Sequence, residues 1–347
     1  MLESSASTYT NPVHPDYFAD PCVWRCGSDY YAVGTGPAEA AGLAVVTAAS
    51  TPSVFPLLHS RDLVRWRPAG HALVRPDPAI GNAFWAPEIA HCGGRWYLYY
   101  SAGHDETLHQ LRVAVSDEPS GPYIDVAALT DTRQVPFAID PHPFRDADGQ
   151  WYLFHARDFL EPLDERGREA RCGTALVVCR LHDMTTLAPE AHTVARARCD
   201  WQRYAADRRM YARTFDWHTL EGPYVVHHDG RYFCLYSGGC WQTHTYGIDY
   251  VVADAVLGAW CDTGVEAGPR VLRTVPGRVI GPGHCSVVTA RDNTTRYLAY
   301  HAWDADMTGR RLCIDPLLFT RDGPRADGPS WTPRPAPHAH SFRAATG

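Results

Sequence analysis

The sequence has no apolar stretch of about 18 residues, so no membrane-spanning helix is expected. It has no run rich in lysine or arginine, and its formal net charge is −7 with a pI near 6.2, which removes a nucleic-acid backbone from the expected partners. The first residues, Met1 to Thr10, lack both the charged and the apolar regions of a secretory signal, so the sequence as it stands points to the cytoplasm. Its 11 cysteines are scattered and odd in number, which suits a reducing compartment better than a disulfide framework. The one close pair, Cys22 and Cys26, has no second Cys/His pair at zinc-site spacing and reads as structural.

What the 347 residues do contain is 45% apolar and 12% aromatic content, enough to bury a large core. The stretch Glu221 to Gly239 shows how it is used. Glu221-Gly222-Pro223 opens a short apolar strand, Asp229-Gly230 supplies a turn, and Tyr232 to Tyr236 alternates in a second strand. The same plan occurs five times, with second strands beginning at Tyr30, Trp96, Trp151, Tyr232 and Tyr297. Successive copies stand about 55 to 80 residues apart, room for one four-stranded sheet each, which predicts an all-β, five-bladed β-propeller. One domain is expected over residues 1–347, with a core at about 11–320 and a Pro- and Gly-rich tail from Gly323 extended over the surface. Two segments depart from the plan. Phe159 to Arg171 reads as a charged loop, and Ala195 to Arg213, with Trp201, Tyr204 and Tyr211, reads weakly as a helical face that could wall a site.

Ahead of the aromatic strands stand Ala19-Asp20-Pro21, Trp85-Ala86-Pro87-Glu88, Ile139-Asp140-Pro141, Glu221-Gly222-Pro223 and Gly281-Pro282-Gly283-His284. In a propeller the first strand of each blade lines the central channel, so these entrances converge: four bring a carboxylate and the fifth a histidine. A single acid beside Pro or Gly is an ordinary turn former, but five equivalent placements predict a polar site on the axis. Hydrolysis of a glycosidic bond needs one carboxylic acid to protonate the leaving oxygen and one carboxylate to activate water. Asp20, the shorter side chain, suits the base and Glu221 the acid; Asp140 would supply the second negative charge that keeps Glu221 protonated. Phe84, Trp85 and Trp241 either stack on a sugar ring or pack in the core.

These motifs, with Asn11 to Pro21 at the start and His301-Ala302-Trp303-Asp304 and Ile314-Asp315-Pro316-Leu317 at the end, resemble the signature set of glycoside hydrolase family 43 over roughly residues 11 to 320. The resemblance implies a five-bladed propeller, an inverting mechanism and an oligosaccharide partner bearing α-L-arabinofuranosyl or β-D-xylosyl groups. It maps the base onto Asp20, the pKa modulator onto Asp140 and the acid onto Glu221. No cofactor is implied for the reaction. In some members a histidine at the position of His284 helps to hold a hydrated calcium ion on the axis; the alternative is a hydrogen-bonded histidine without metal. Many members have Arg immediately before the last Ile-Asp-Pro, where this chain has Cys313, and Arg311 is the candidate to replace that sugar contact. An exo-acting α-L-arabinofuranosidase is the leading expectation, ahead of a β-xylosidase, an endo-1,5-α-L-arabinanase and a catalytically inactive carbohydrate-binding propeller.

Overall fold

The structure is a computed structural model that describes residues 8–37, 53–164, 167, 169–261 and 266–337. The elements bounded within these residues are strands, apart from two short 3₁₀ turns at Pro78–Ile80 and Asp200–Gln202. A short strand β1 (Thr8–Tyr9) precedes a four-stranded meander of β2 (Ala19–Cys26), β3 (Asp29–Thr35), β4 (Ser53–Ser60) and β5 (Arg67–Val74). The second meander is β6 (Ala83–Cys92), β7 (Arg95–His104), β8 (Thr107–Ser116) and β9 (Ile124–Ala128). The third comprises β10 (Ala138–Arg145), β11 (Trp151–Phe159), β12 (Gly173–Asp183) and β13 (Thr186–Ala195). A two-residue parallel ladder, Gly173 and Thr174 against His218 and Thr219, joins it to the next sheet. That sheet holds β14 (Arg203–Met210), β15 (Arg213–His228), β16 (Arg231–Gly238) and β17 (Gly247–Ala253). The last is β18 (Ile280–Thr289), β19 (Arg296–Trp303), β20 (Arg310–Thr320) and β21 (Gly323–Ala326), and β22 (Arg334–Pro335) returns to pair with β1.

The first strands of these sheets pack in a closed cycle: β2 on β6, β6 on β10, β10 on β15, β15 on β18, and β18 back on β2. Aromatic second strands fill the spaces between sheets. Tyr30, Tyr99, Tyr100, Tyr236 and Tyr300 are all buried there, each contributing on the order of 2 kcal/mol by removal from water.

Every first strand is bulged at the same point. Pairing with the second strand slips between Ala19 and Cys22, Trp85 and Glu88, Ile139 and His142, Glu221 and Tyr224, and Gly283 and Ser286. Within each slip one residue takes a left-handed backbone: Asp20 (φ 49°), Ala86 (49°), Asp140 (59°), Gly222 (56°) and His284 (49°). Four of the five precede proline, which has no N–H to offer a ladder. For a non-glycine residue that conformation costs roughly 1–2 kcal/mol, and a bulge re-aims the side chain it carries.

Several expectations are corrected. Ala195 to Arg213 is not helical: it ends β13, makes a 3₁₀ turn and becomes β14, which pairs antiparallel with β15. The tail from Gly323 is not merely laid on the surface, since it supplies β21 and β22. The strand pair expected within Val54 to Trp66 is a single strand, β4, whose partner β5 starts at Arg67. The strand expected at Leu43 to Thr47 lies outside the described residues. The loop after Phe159 is held by Arg196, which donates to the carbonyls of Leu163 (3.0 Å) and Arg171 (3.1 Å). No helix among the described residues is long and apolar enough to cross a membrane.

Candidate active site

At one end of the ring of first strands lies a cavity of about 450 Å³ lined by Asp20, Asp140, Glu221 and His284, with Arg310 and Trp241 beside them. The bulges hold these side chains in place through the neighbouring sheet. The Asp20 amide donates to His301 Nδ1 (3.1 Å), the Ala86 amide to Thr35 Oγ1 (2.9 Å), the Asp140 amide to Ser101 Oγ (2.9 Å) and the His284 amide to Ser237 Oγ (2.7 Å). Thr35, Ser101 and Ser237 all stand opposite the residue before their own sheet's bulge. In β11 that place is taken by Ala156, which faces Ile139 and has no acceptor to offer. The amide left over, that of Gly222, donates instead to Asp140 Oδ2 at 2.8 Å. One carboxylate thus replaces a hydroxyl in a repeated bond, next to Glu221.

Burial alone would raise the Asp20 carboxyl, but Arg310, His284 and His301 outweigh it and hold Asp20 far below the usual range. Arg310 donates to Asp20 Oδ1 at 3.2 Å, and His284 Nδ1 lies 3.5 Å from the same oxygen. Arg310 is itself fixed by the Tyr17 hydroxyl (3.0 and 2.7 Å) and by the Trp241 ring, 4.3 Å below its guanidinium carbon. Trp241 is anchored in turn by Trp303, stacked at 6.0 Å and donating its indole N–H to the Trp241 carbonyl (2.7 Å).

Glu221 is the opposite case. Burial pushes it up to about 7, with the Asp20 charge adding to the rise and a 2.6 Å bond from the Tyr246 hydroxyl opposing it. Asp140 is also pushed well above its ordinary value, by burial and then by the charges of Glu221 and Asp20, against the Gly222 amide and Arg310. The two acids titrate as a pair. Asp20 is thus held down while Glu221 and Asp140 are pushed up, the split between base and acid that acid/base catalysis requires. Tyr246 reaches Glu221 because residue 283 is glycine: a Cβ there would lie 2.0 Å from the Tyr246 ring.

Not every residue expected at the site is there. Trp85 lines the cavity, stacked 3.7 Å from the His109 ring. Phe84 is 0% exposed and packs in the core against Tyr100, so its core reading replaces the sugar-stacking one. Arg311 is bonded to Asp304 (2.9 Å) and Thr308 (3.0 Å) away from the cavity, and the arginine facing the site is Arg310, one residue earlier. Alternation along β20 is the signal that separates them, because successive side chains point to opposite faces. Glu88 lies beyond its bulge, one layer down the axis, with its carboxylate 3.5 Å from His142 Nδ1. Sequence reasoning missed Arg310 and Tyr246; the segment it expected to wall the site, Ala195 to Arg213, does so through Tyr204, Arg208 and Met210, on a strand and not a helix.

Among the described residues no three His, Cys, Asp or Glu side chains group as metal ligands. Calcium takes about six to eight oxygen ligands, whereas His284 Nδ1 faces Asp20 and Asp140 at 3.5 and 3.9 Å and burial lowers its pKa. These residues do not fit a protein-liganded calcium. All eleven cysteines are free thiols.

The sequence matches the family model for glycosyl hydrolases family 43 over residues 9–324. The chain is 25% identical to a beta-D-galactofuranosidase of Aspergillus niger, over 90% of this chain and 83% of that protein. It is 25% identical to an extracellular exo-alpha-(1->5)-L-arabinofuranosidase of Streptomyces chartreusis, over 65% of each. Arabinanases and xylosidases occur among other relatives. A solved thermostable family-43 glycoside hydrolase superposes with a TM-score of 0.78 at 28% identity, covering 95% of this chain and 99% of that one. The fold shared with these structures is of the propeller type.

Proposed function

The chain belongs to glycosyl hydrolase family 43, and on that premise we propose that it removes terminal α-L-arabinofuranosyl residues from arabino-oligosaccharides with inversion at the anomeric carbon. The observation that carries the reading is the unequal setting of three acids in one cavity: Asp20 faces the Arg310 guanidinium and the rings of His284 and His301, whereas Glu221 is bonded to the Tyr246 hydroxyl and Asp140 to the Gly222 amide. Asp20 takes a proton from water as the water oxygen bonds to the anomeric carbon. The bond to the leaving oxygen breaks, and Glu221 gives its proton to that oxygen. Asp140 fixes the Gly222 amide and, by its charge, keeps Glu221 protonated until it is needed. No cofactor enters this sequence. We read the five inner strands as five blades of one domain.

Exo action is supported by the wall that β14 and β15 raise beside the acids. Arg208 of β14 reaches Glu106, in the turn between β7 and β8, at 3.6 Å, and both line the cavity. A bridge of that kind favours a chain end over a chain interior. The second reading is β-D-galactofuranosyl hydrolysis, supported by the reach of the likeness to the Aspergillus relative. A panel of nitrophenyl α-L-arabinofuranoside, β-D-galactofuranoside and β-D-xylopyranoside, beside linear arabinan, separates the readings. The arabinofuranoside should turn over fastest, arabinotriose should outrun the polymer, and NMR should show the released sugar with inverted configuration. Faster attack on the polymer would replace exo with endo action, and retained configuration would remove Asp20 as base.

A further inference from the structure

The cavity holds a fourth acid, half-buried, that the hydrolytic steps do not use. Asp158, at the end of β11, accepts a bond from Thr174 Oγ1 on Oδ1 (3.0 Å) and one from the Tyr211 hydroxyl on Oδ2 (2.7 Å). Burial pushes its carboxyl up to about 6, against those two bonds and the charge of Arg208. Two bonds leave half of its acceptor capacity open, since a carboxylate offers about four lone-pair sites. Beside it the Arg208 guanidinium is spread over the rings of Tyr204 (4.6 Å) and Trp217 (5.7 Å). Arg208 also lies close enough to Glu221 to bias its ionisation. All of these side chains except Tyr211 line the cavity.

We propose that Asp158 and Arg208 form the binding site for the leaving-group sugar, taking hydroxyl groups of the unit to which the terminal furanosyl residue is attached. The inference rests on the reading of Glu221 as the acid, because a general acid stands on the leaving-group side of the bond it cleaves. The hairpin of β14 and β15 grows from the strand that carries Glu221, so what it adds to the cavity is added on that side. A half-buried carboxylate and a guanidinium clamped on aromatic faces match the chemistry of a sugar, whose hydroxyls both donate and accept. A phenol leaving group has no hydroxyls to offer such a pair.

The test compares Asp158→Asn and Arg208→Gln with wild type on arabinobiose and on nitrophenyl arabinofuranoside. For each variant the loss in kcat/KM on arabinobiose should exceed that on the aryl substrate by about tenfold or more, most of it in KM. Arg208→Gln leaves the Asp158 bonds to Thr174 and Tyr211 in place, so it reports on the site even where Asp158→Asn loosens the hairpin. Equal losses on the two substrates in both variants overturn the inference. Wild-type protein that turned over neither substrate would overturn the functional reading, and this one with it.

Discussion

One wall of the cavity is the ring of first strands, where a bulge recurs five times and each bulged amide is bonded to a side chain from elsewhere in the ring. The facing wall is the hairpin of β14 and β15, which has no counterpart in the other sheets among the described residues; its base is joined to β12 by the short parallel ladder, and farther out it reaches the rest through Arg208 to Glu106 and Tyr211 to Asp158. The difference teaches where each task is kept. Reacting groups need positions held to fractions of an ångström, and the ring wall over-determines them through two sheets at once. Selection among substrates needs only a surface that can be altered without moving the acids, and an insertion supplies one.

Substitutions on the ring wall should therefore cost turnover on every substrate, and the largest effect belongs to Asp20→Ala. Loss of the base should lower kcat by at least about 10³-fold for sugar-linked and aryl substrates alike; a variant that kept aryl activity would take Asp20 out of the role. Glu221→Ala comes next and should break the symmetry. It should cripple arabinobiose by about 10²–10³-fold, while an aryl glycoside whose phenol leaves unaided keeps far more activity. Equal losses would deny it the role of acid.

Asp140→Asn keeps an oxygen for the Gly222 amide and removes only charge. Glu221 is raised in the folded enzyme, so activity is lost as pH climbs through its pKa; on the proposed role of Asp140, removing its charge should move that alkaline limb to lower pH in the kcat/KM profile. An unmoved limb would make Asp140 a positioning residue. Ser101→Ala removes the hydroxyl under the Asp140 amide and gives that junction the alanine already present at residue 156. A lost buried bond of about 1 kcal/mol should lower the Tm by about 1–2 °C and leave the pH profile in place. The smallest effect is expected from calcium: addition or chelation should move the Tm by less than about 1 °C, and a larger shift would make His284 a residue that holds a hydrated ion.

The ring wall was legible because it repeats. The aromatic second strands and the Asp-Pro, Pro-Glu, Gly-Pro and Gly-His entrances stand out against one another, and they led to Asp20, Asp140, Glu221 and His284 in one cavity. The segment that forms the second wall was expected there, but its strand pairing was hidden by its turn. Tyr211 and Ala212 both take positive φ (50° and 58°), the backbone of a type I′ turn, without the Asn-Gly or Asp-Gly that ordinarily marks one. Arg310 was missed by a single residue of register, where Arg311 offered the same chemistry on the opposite face. Phe84 and Trp85 are neighbours with opposite orientations, and only the place of the bulge decides which meets the cavity.

The bonds between bulged amides and neighbouring side chains also join catalysis to folding. Asp20 is placed by β19 at the far end of the chain, Asp140 by β7 and His284 by β16, so no sheet holds its own share of the chemistry alone. Parting of the sheets at four of the five junctions around the ring releases Asp20, Asp140, the Gly222 amide beside Glu221, or His284; the fifth holds only the Ala86 amide. Heat inactivation is then expected to coincide with cooperative unfolding, with activity and the folded signal lost over the same temperature range.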